Sequence, residues 1–263
     1  MTKKGFELVP PLNFAWQQFL VSAMILLPFL AALRSKFPMD AMILGRVIVF
    51  GSLNALSIAM VNLGLLHESS GIGAVLVFTQ PLMVFGLSVL FLHEKAKTRR
   101  LLGVLMGFAG TGVMSFRGAG PILPFSYVSL LLVLGAFVWA LAAVYYKKYL
   151  EKVDVVVVTA LQFAVGFILL FVLSLASEGL VFTLVSEYLG TLLFVSLGSS
   201  ILGTLIWLYL LTKEDATSLS TYSFIVPIIA LIFVWWLLGE NVNGRSYLGT
   251  GLILGGIYLV QRR

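Results

Sequence analysis

Two stretches of the chain decide its fold: residues 80–94 read QPLMVFGLSVLFLHE, and residues 226–240 read VPIIALIFVWWLLGE. Both are apolar, and each carries a proline near its start and a glutamate at its end. The prolines and the glutamates are each 146 residues apart, and three further pairs keep that spacing. The five pairs are Pro81/Pro227, Glu94/Glu240, Gly103/Gly249, Gly110/Gly256 and Leu65/Leu211. Five matches in one ungapped register indicate an internal repeat.

The rest of the chain also consists of long apolar segments joined by short polar links. A helix needs roughly 20 apolar residues to cross the hydrocarbon core of a membrane. Nine segments meet that need: 12–33, 41–66, 70–92, 100–116, 125–146, 155–176, 188–211, 216–238 and 246–260. They are continuously apolar rather than alternating, which favours helices over a membrane β-barrel. The sequence therefore predicts an all-α, polytopic membrane protein with nine transmembrane helices.

The composition excludes several classes of function. Hydrophobic residues make up 60% of the chain and charged residues 11%, whereas a soluble domain carries about 25% charged residues. A soluble enzyme, a disordered chain and a nucleic-acid-binding module are therefore disfavoured. With no cysteine in the chain, disulfides, thiolate metal sites and cysteine nucleophiles are excluded.

The distribution of lysine and arginine predicts the orientation. If nine segments cross the membrane, twelve of the 17 basic residues fall in the loops on one side and four on the other, with Arg46 near the first group. Loops rich in lysine and arginine remain in the cytoplasm. We therefore expect a multi-pass protein of the cell (inner or plasma) membrane whose C-terminus is cytoplasmic.

The repeat extends upstream with a shift of two residues. Gln18-Phe19 matches Gln162-Phe163 at a spacing of 144. In this register, segment 125–146 has no counterpart in the first half of the chain. We therefore expect the native protein to have a further helix before Met1.

These matches divide the chain into two units. Residues 1–118 would form a first repeat of four helices that lacks its first helix, and residues 119–263 a second repeat of five. Because five is odd, the two copies would enter the membrane in opposite orientations. Inverted repeats that enclose a central site are typical of secondary transporters.

The chain resembles the EamA branch of the drug/metabolite transporter superfamily. The resemblance is carried by Pro81, Leu92-His93-Glu94, Gly103 and Gly110, by Pro227-Ile228-Ile229-Ala230, Leu238-Gly239-Glu240, Gly249-Thr250-Gly251 and Gly255-Gly256, and by Gly135-Ala136-Phe137-Val138-Trp139-Ala140. His93 departs from the pattern, because the family usually has glycine there. The resemblance implies ten helices, a central cavity between the halves, and movement of small metabolites, often export of amino acids or related compounds.

Polar residues and tryptophans inside the apolar segments are the candidates for the substrate path. Polar groups within a membrane are costly and usually face protein or water. The predicted substrate-binding residues are Asn54, Ser57, Thr79, Gln80, Trp139, Ser199, Ser200, Trp207, Tyr222 and Ser223. The alternative for each polar side chain is a hydrogen bond between helices that contributes to packing alone.

Two prolines and two glutamates are candidates for helix breaks and gates. Pro81 and Pro227 each remove a backbone donor and clash with the preceding turn, so they are predicted to shape the cavity. A packing kink without ligand contact is the alternative. Glu94 and Glu240 end the same segments, and we expect them to cap or gate the loop that follows.

The positions of the charged residues narrow the substrate and the mechanism. All eleven Asp and Glu residues lie in loops or at segment ends, whereas proton-coupled transporters and cation pumps commonly keep a carboxylate inside the membrane. An uncharged or zwitterionic solute is therefore favoured. Both histidines lie at segment ends, so neither a Ser-His-Asp site nor a metal site is predicted.

We therefore predict a secondary transporter of a small metabolite that is not an enzyme and needs no cofactor. Its predicted partners are a small-molecule substrate and the lipid bilayer, without nucleic acid. Small-residue pairs such as Gly103/Gly107 and Gly251/Gly255 pack helices within the monomer or, as an alternative, form a homodimer. A lipid flippase and an integral membrane enzyme that acts on lipid are the alternative functions.

Overall fold

The structure, a computed structural model, describes residues 8–33, 40–68, 70–115, 127–238 and 244–262, and these residues form helices without strands. In chain order the elements are α1 (Pro11–Leu33), α2 (Ala41–His67), α3 (Ser70–Val77), α4 (Gln80–Phe91), α5 (Thr98–Ser115), α6 (Tyr127–Tyr149), α7 (Val155–Ser177), α8 (Ser186–Phe194), a π-helical segment (Val195–Leu202), α9 (Gly203–Lys213), α10 (Ala216–Thr221), a 3₁₀ turn (Tyr222–Phe224), α11 (Ile225–Leu238) and α12 (Gly244–Gln261).

Local sequence explains where several helices begin. The Asp40 carboxylate accepts a hydrogen bond from the backbone N–H of Ile43 at 2.6 Å, and Asp154 accepts one from Val156 at 2.8 Å. An aspartate at this position satisfies backbone donors that have no partner within the helix. Each aspartate therefore fixes the start of the apolar helix that follows it, α2 and α7 respectively.

The all-helical fold predicted from the sequence is confirmed for the described residues. Six helical stretches are long and apolar enough to cross a membrane: Ala41–His67, Gly71–Phe91, Tyr127–Tyr149, Val155–Ser177, Ser186–Lys213 and Ala216–Phe233. The three other predicted segments are helical too, as α1, α5 and α12. That these three also cross the membrane, which would make nine crossings, stays a prediction.

Helix α5 packs against α12 along a seam of four glycines. A β-carbon added to Gly103 would lie 2.6 Å from the Gly256 carbonyl oxygen, and one added to Gly256 would lie 2.5 Å from that of Gly103. Gly110 and Gly249 make the same reciprocal contact, at 2.7 and 2.8 Å. Early residues of α5 thus meet late residues of α12, so the two helices run antiparallel, and they do so through the glycines that match at a spacing of 146.

Helices α1 and α7 form a second antiparallel pair. The rings of Phe19 and Phe163 meet edge to face at a centroid distance of 5.1 Å, and Trp16 meets Phe171 at 5.3 Å. Phe19 also fills the space beside Gly166, which has no side chain. Helix α2 packs against both α6 and α7 and so joins the two halves of the chain.

Two of the long apolar stretches are interrupted near a proline. α3 ends at Val77 and α4 begins at Gln80, with Pro81 in the first turn of α4. Proline is well tolerated there because its missing N–H would have no partner within the helix. In the second half, a 3₁₀ turn separates α10 from α11, and Pro227 is the third residue of α11. The two interruptions occupy matching positions in the repeat.

Polar contacts gather the basic residues at one end of the bundle. Arg100 forms an ion pair of 2.7 Å with Asp215, and the Lys147 ammonium donates to the Leu211 carbonyl oxygen at 2.8 Å. We call this end the basic end; its described lysines and arginines are Arg46, Lys95, Lys97, Arg99, Arg100, Lys147, Lys148, Lys152, Lys213 and Arg262.

Candidate substrate cavity

A cavity of about 320 Å³ lies where α1, α2, α6, α7, the π-helical segment and α9 meet. Its lining combines polar, aromatic and small side chains from both halves of the chain. The lining residues are Gln18, Phe19, Phe50, Asn54, Ile58, Trp139, Ala143, Gln162, Phe163, Ser199, Ser200, Gly203, Thr204, Trp207 and Leu208. A volume of this order suits a small metabolite, because ligand pockets measure about 300–1,000 Å³.

Residues that match in sequence between the two halves of the chain meet at this cavity. Gln18-Phe19 and Gln162-Phe163 line it from the antiparallel helices α1 and α7. Asn54 and Ser200, which match at a spacing of 146, line it from α2 and the π-helical segment. The cavity therefore lies at the place where the two halves contact each other through equivalent residues.

The carboxamides of the cavity differ in their hydrogen bonding. Gln18 Nε2 donates to Ser200 Oγ at 2.6 Å, and Asn54 Nδ2 donates to the Phe50 carbonyl oxygen at 3.0 Å. The side chain of Gln162, which is 3% exposed, has no hydrogen-bond partner in the described part of the chain. Gln162 lines the cavity, so its carboxamide can pair with a ligand or a water molecule there.

Two tryptophans form one side of the cavity. The rings of Trp139 and Trp207 lie 4.9 Å apart between centroids, with an angle of 51° between their planes. Both residues are half-buried and line the cavity. Faces of this kind bind planar apolar groups, because aromatic pairs contribute about 0.5–1.5 kcal/mol beyond simple burial.

The π-helical segment carries two of the polar lining residues. Residues 195–202 form this segment, and Gly203 continues it into α9. Ser199 and Ser200 line the cavity, and Ser196 Oγ donates to the Gln18 carbonyl oxygen at 3.3 Å. Short π-helical turns often occur at functional sites because they change the direction of side chains within a helix.

The structure places five of the predicted substrate-binding residues in the cavity lining and five outside it. Asn54, Trp139, Ser199, Ser200 and Trp207 line the cavity. Ser57 donates to the Gly135 carbonyl oxygen at 2.9 Å and so joins α2 to α6. The other four that do not line the cavity are Thr79, Gln80, Tyr222 and Ser223.

Those four residues lie at the two helix interruptions. Thr79 donates to the Leu76 carbonyl oxygen at 2.6 Å, and Ser223 donates to that of Ser220 at 2.7 Å. The Gln80 side-chain nitrogen is buried without a partner among the described residues, and Tyr222 is 43% exposed. Any contact of these residues with substrate stays a prediction.

Three polar residues that line the cavity, Gln18, Gln162 and Thr204, are not among the predicted substrate-binding residues. For the glutamines a signal was available, because Gln18-Phe19 and Gln162-Phe163 match between the repeats. A polar residue that occurs inside an apolar segment of both repeats is a stronger candidate than one that occurs in a single repeat. Thr204 gave no such signal, because its match in the first repeat is Ile58.

At the basic end, Glu94 connects the two halves. Its Oε1 accepts a hydrogen bond of 2.8 Å from the backbone N–H of Ala216, and its Oε2 lies 3.9 Å from the Arg100 guanidinium. Arg100 also pairs with Asp215 at 2.7 Å. We call these four residues the latch: Glu94, Arg100, Asp215 and Ala216. Glu240, which lies 146 residues after Glu94 in the sequence, is outside the described residues.

At the opposite end, a carboxylate also joins the two halves of the chain. Glu178 accepts hydrogen bonds from the backbone N–H groups of Leu12 at 3.1 Å and Asn13 at 2.9 Å, at the start of α1. The Asn13 side chain donates to the Gly179 carbonyl oxygen at 2.9 Å. Both ends of the bundle thus hold a first-half element against a second-half element through a glutamate.

None of the described residues that line the cavity has a charged side chain. Across the ranges that the structure describes, no group of three or more His, Cys, Asp or Glu residues could hold a metal ion. The lining can therefore offer hydrogen bonds, aromatic faces and apolar surface to a solute.

Comparison with known proteins assigns the fold and the family. A protein named "Uncharacterized transporter in sor 3'region" from Acidianus ambivalens is 32% identical, with 92% of this chain and 90% of the relative covered. "Uncharacterized transporter YvbV" from Bacillus subtilis (strain 168) is 28% identical, covering 100% and 86%. "Uncharacterized inner membrane transporter YedA" from Escherichia coli (strain K12) is also 28% identical, covering 97% and 83%.

A solved crystal structure shares the fold, with a TM-score of 0.82 over 99% of this chain and 90% of the other, at 19% identity. The family described as "EamA-like transporter family" matches residues 1–116 and 126–262. The resemblance stated from the sequence is thereby confirmed. Together with the six apolar helices, this match points to a multi-pass membrane transporter rather than an enzyme. The chain belongs to the EamA-like transporter family.

Proposed function

We propose that this protein is a secondary transporter that moves a small uncharged or zwitterionic metabolite across the cell membrane by alternating access. The observation that carries the proposal is the composition of the cavity wall. Gln18 and Gln162, Phe19 and Phe163, and Asn54 and Ser200 match between the repeats and line one cavity. A site between two inverted repeats can be exposed first to one side of the membrane and then to the other as the halves move.

Antiparallel helix pairs support the inverted arrangement. In the proposal, residues 1–118 and 119–263 form the two repeats, and α5 and α12 are equivalent helices. Their reciprocal glycine contacts, Gly103 with Gly256 and Gly110 with Gly249, are the contacts expected around a two-fold axis in the membrane plane. In this arrangement the latch at the basic end and the contacts of Glu178 at the opposite end would open in turn.

The basic end is proposed to face the cytoplasm, since cytoplasmic loops are enriched in lysine and arginine. The absence of cysteine from the chain permits a direct test with single cysteines and a membrane-impermeant maleimide. Lys152→Cys at the basic end should react only from the cytoplasmic side. Glu187→Cys at the opposite end should react only from outside, and the reverse result would invert the proposed orientation.

Solute counterflow into proteoliposomes tests transport itself. Vesicles that contain the full chain are preloaded with one solute of a metabolite panel at a time, with and without an ion gradient. With the transported solute inside, they should accumulate the same solute in radiolabelled form. The proposed direction is export, as the resemblance implies, and vesicles of sorted orientation test it. If no member of a broad panel exchanges, transport by this chain is ruled out for those solutes.

A matched pair of variants connects transport to the cavity. Gly203 lines the cavity, whereas Gly198, five residues earlier in the same helix, is exposed and has no atom within 4 Å of an added β-carbon. Gly203→Phe should fill the cavity and abolish exchange, whereas Gly198→Phe should retain it. Equal exchange by both variants would show that the solute takes another path.

A further inference from the structure

We propose that the cavity selects an uncharged solute with a planar lactam-type ring, which Gln162 recognises by hydrogen bonds and Trp139 and Trp207 by ring contact. The inference rests on the proposed transport function and narrows its substrate class. It excludes zwitterions, which the general proposal allows, as well as anions and cations.

The charge of the cavity wall limits the solute. The lining residues that the structure describes offer neither an acidic nor a basic side chain. A charge that leaves water for an apolar site without a partner loses several kcal/mol of hydration free energy. A free amino acid brings two such charges, so it would need either ionic partners or the end of a helix at the site.

No helix end contributes to the described part of the cavity wall. Some transporters hold a substrate carboxylate at the N terminus of a broken helix, where the helix dipole is positive. Here, α8, the π-helical segment and α9 form one continuous helix from Ser186 to Lys213. All lining residues lie within this helix or inside α1, α2, α6 and α7, away from their ends. The described interruptions near Pro81 and Pro227 do not contribute to the lining.

Two equivalent pairs of polar residues in the cavity differ in their hydrogen bonds. Gln18 and Ser200 match Gln162 and Asn54 in the repeat. The first pair is joined by a hydrogen bond of 2.6 Å. In the second pair, Asn54 donates instead to the Phe50 carbonyl oxygen of its own helix, and the Gln162 carboxamide has no partner among the described residues.

The unpaired carboxamide defines the hydrogen-bonding pattern of the solute. A glutamine side chain offers an acceptor oxygen and donor N–H groups side by side. The complementary edge carries a donor next to an acceptor, as a cis-amide in a ring does. Gln162 lines the cavity, so such an edge could pair with its carboxamide without first breaking a hydrogen bond to another described residue.

The aromatic side of the cavity limits the shape of the solute. The indoles of Trp139 and Trp207 are inclined at 51°, so they do not stack flat against each other. Each therefore keeps a face for a flat ring inserted beside it. A cation could also bind such faces, but a quaternary cation would leave the Gln162 carboxamide unpaired.

The test uses four radiolabelled probes of similar ring size: uracil as the neutral lactam, L-phenylalanine as the zwitterion, benzoate as the anion and N-methylpyridinium as the cation. Equilibrium binding to the purified full chain and counterflow in proteoliposomes are measured for each. Uracil should bind and exchange, with the charged probes weaker by about tenfold or more. Absence of uracil binding overturns the inference.

Two substitutions at one position test the role of Gln162. Gln162→Leu keeps a side chain of similar size but removes the amide, and the Kd for uracil should rise about tenfold. Gln162→Glu adds a carboxylate, so binding of N-methylpyridinium should appear. Gln261→Leu is the matched control, because Gln261 donates to the Ser218 carbonyl oxygen outside the cavity; its Kd for uracil should stay unchanged. An unchanged Kd in Gln162→Leu overturns the inference.

The two readouts separate the failure of this inference from the failure of the transport proposal. If uracil binds but no probe exchanges, transport fails while the selectivity stands. If L-phenylalanine or another charged probe exchanges and uracil does not bind, transport stands and the proposed selectivity is overturned.

Discussion

The Glu94 carboxylate in the first half of the chain accepts a hydrogen bond of 2.8 Å from the backbone N–H of Ala216 in the second half. Ala216 is the first residue of α10, and Asp215 before it makes no capping bond with its own side chain. Glu94 therefore does what an N-cap residue usually does, but from a different helix. The start of α10 is thereby tied to the end of α4.

Replacing Glu94 should lower the free energy of unfolding, and the loss should depend on whether the new side chain can still accept a hydrogen bond from the Ala216 N–H. Glu94→Ala removes a mostly buried hydrogen bond to a charged group, which contributes about 1.5–3 kcal/mol. Glu94→Gln keeps a carbonyl acceptor and should lose less. Chemical unfolding in detergent measures both. Glu151→Ala is the control, because its ion pair with Lys147 is partly exposed and contributes below about 1 kcal/mol. Equal losses in Glu94→Ala and Glu151→Ala would contradict this account.

Locking the latch should stop transport reversibly. Since the chain has no cysteine, Arg100→Cys with Asp215→Cys gives one defined pair for a short bifunctional thiosulfonate reagent. The cross-link should abolish counterflow, and a reductant should restore it. The control pair, Lys147→Cys with Glu151→Cys, is confined to the end of α6 and the turn after it, so its cross-link should leave counterflow intact. Full counterflow through the locked latch would show that this end does not need to open.

Two glycines of one helix should respond oppositely to a methyl group. Gly110→Ala places a β-carbon 2.7 Å from the Gly249 carbonyl oxygen and 2.8 Å from Ile253 Cγ1, and such overpacking costs about 1–3 kcal/mol. Gly112→Ala meets nothing within 4 Å and should gain up to about 1 kcal/mol from higher helix propensity. The melting temperatures in detergent should therefore move in opposite directions. A similar decrease in the melting temperature of both variants would show that the loss of stability arises within α5 itself and not from its contact with α12.

The protein should be more stable with glycine in place of His93. Its φ of 56° lies in the left-handed region, where a side chain costs roughly 1–2 kcal/mol. In this turn the Glu94 backbone N–H donates to the Ser88 carbonyl oxygen at 3.2 Å. His93→Gly should raise the free energy of unfolding by about 0.5–1 kcal/mol after the greater backbone entropy of glycine is subtracted. Lys95→Gly, at an exposed position with negative φ, should show no gain; a gain there as large as in His93→Gly would refute the explanation.

The sequence predicted the helices well because their signals are local. Apolar runs alone predicted α2 (41–66) and α7 (155–176) to within one residue of their ends in the structure. The interruption at Pro81 also follows from the chemistry of proline. The π-helical segment could not be predicted, because apolar periodicity does not distinguish a wider turn from an α-helical one over eight residues.

Which polar residues face the cavity depends on how each helix is rotated, and neighbouring helices set that rotation. Asn54 and Ser57 are three residues apart in α2, yet Asn54 lines the cavity and Ser57 binds a carbonyl oxygen of α6. A single helix gives no information about this choice. Sequence matches between the two halves of the chain do give information about it. Gln18 and Gln162 match in this way, although they are not among the residues predicted from residue type and depth in the segment.

The glycine seam limits how the molecule can move. Its two contacts, Gly103 with Gly256 and Gly110 with Gly249, are seven residues apart along α5, or about 10 Å at 1.5 Å per residue. Two close approaches at that separation resist tilting of one helix against the other more than a single one would. We therefore expect α5 and α12 to move together in the proposed transport cycle, with the change of shape taken up at other contacts, first of all at the interruptions near Pro81 and Pro227.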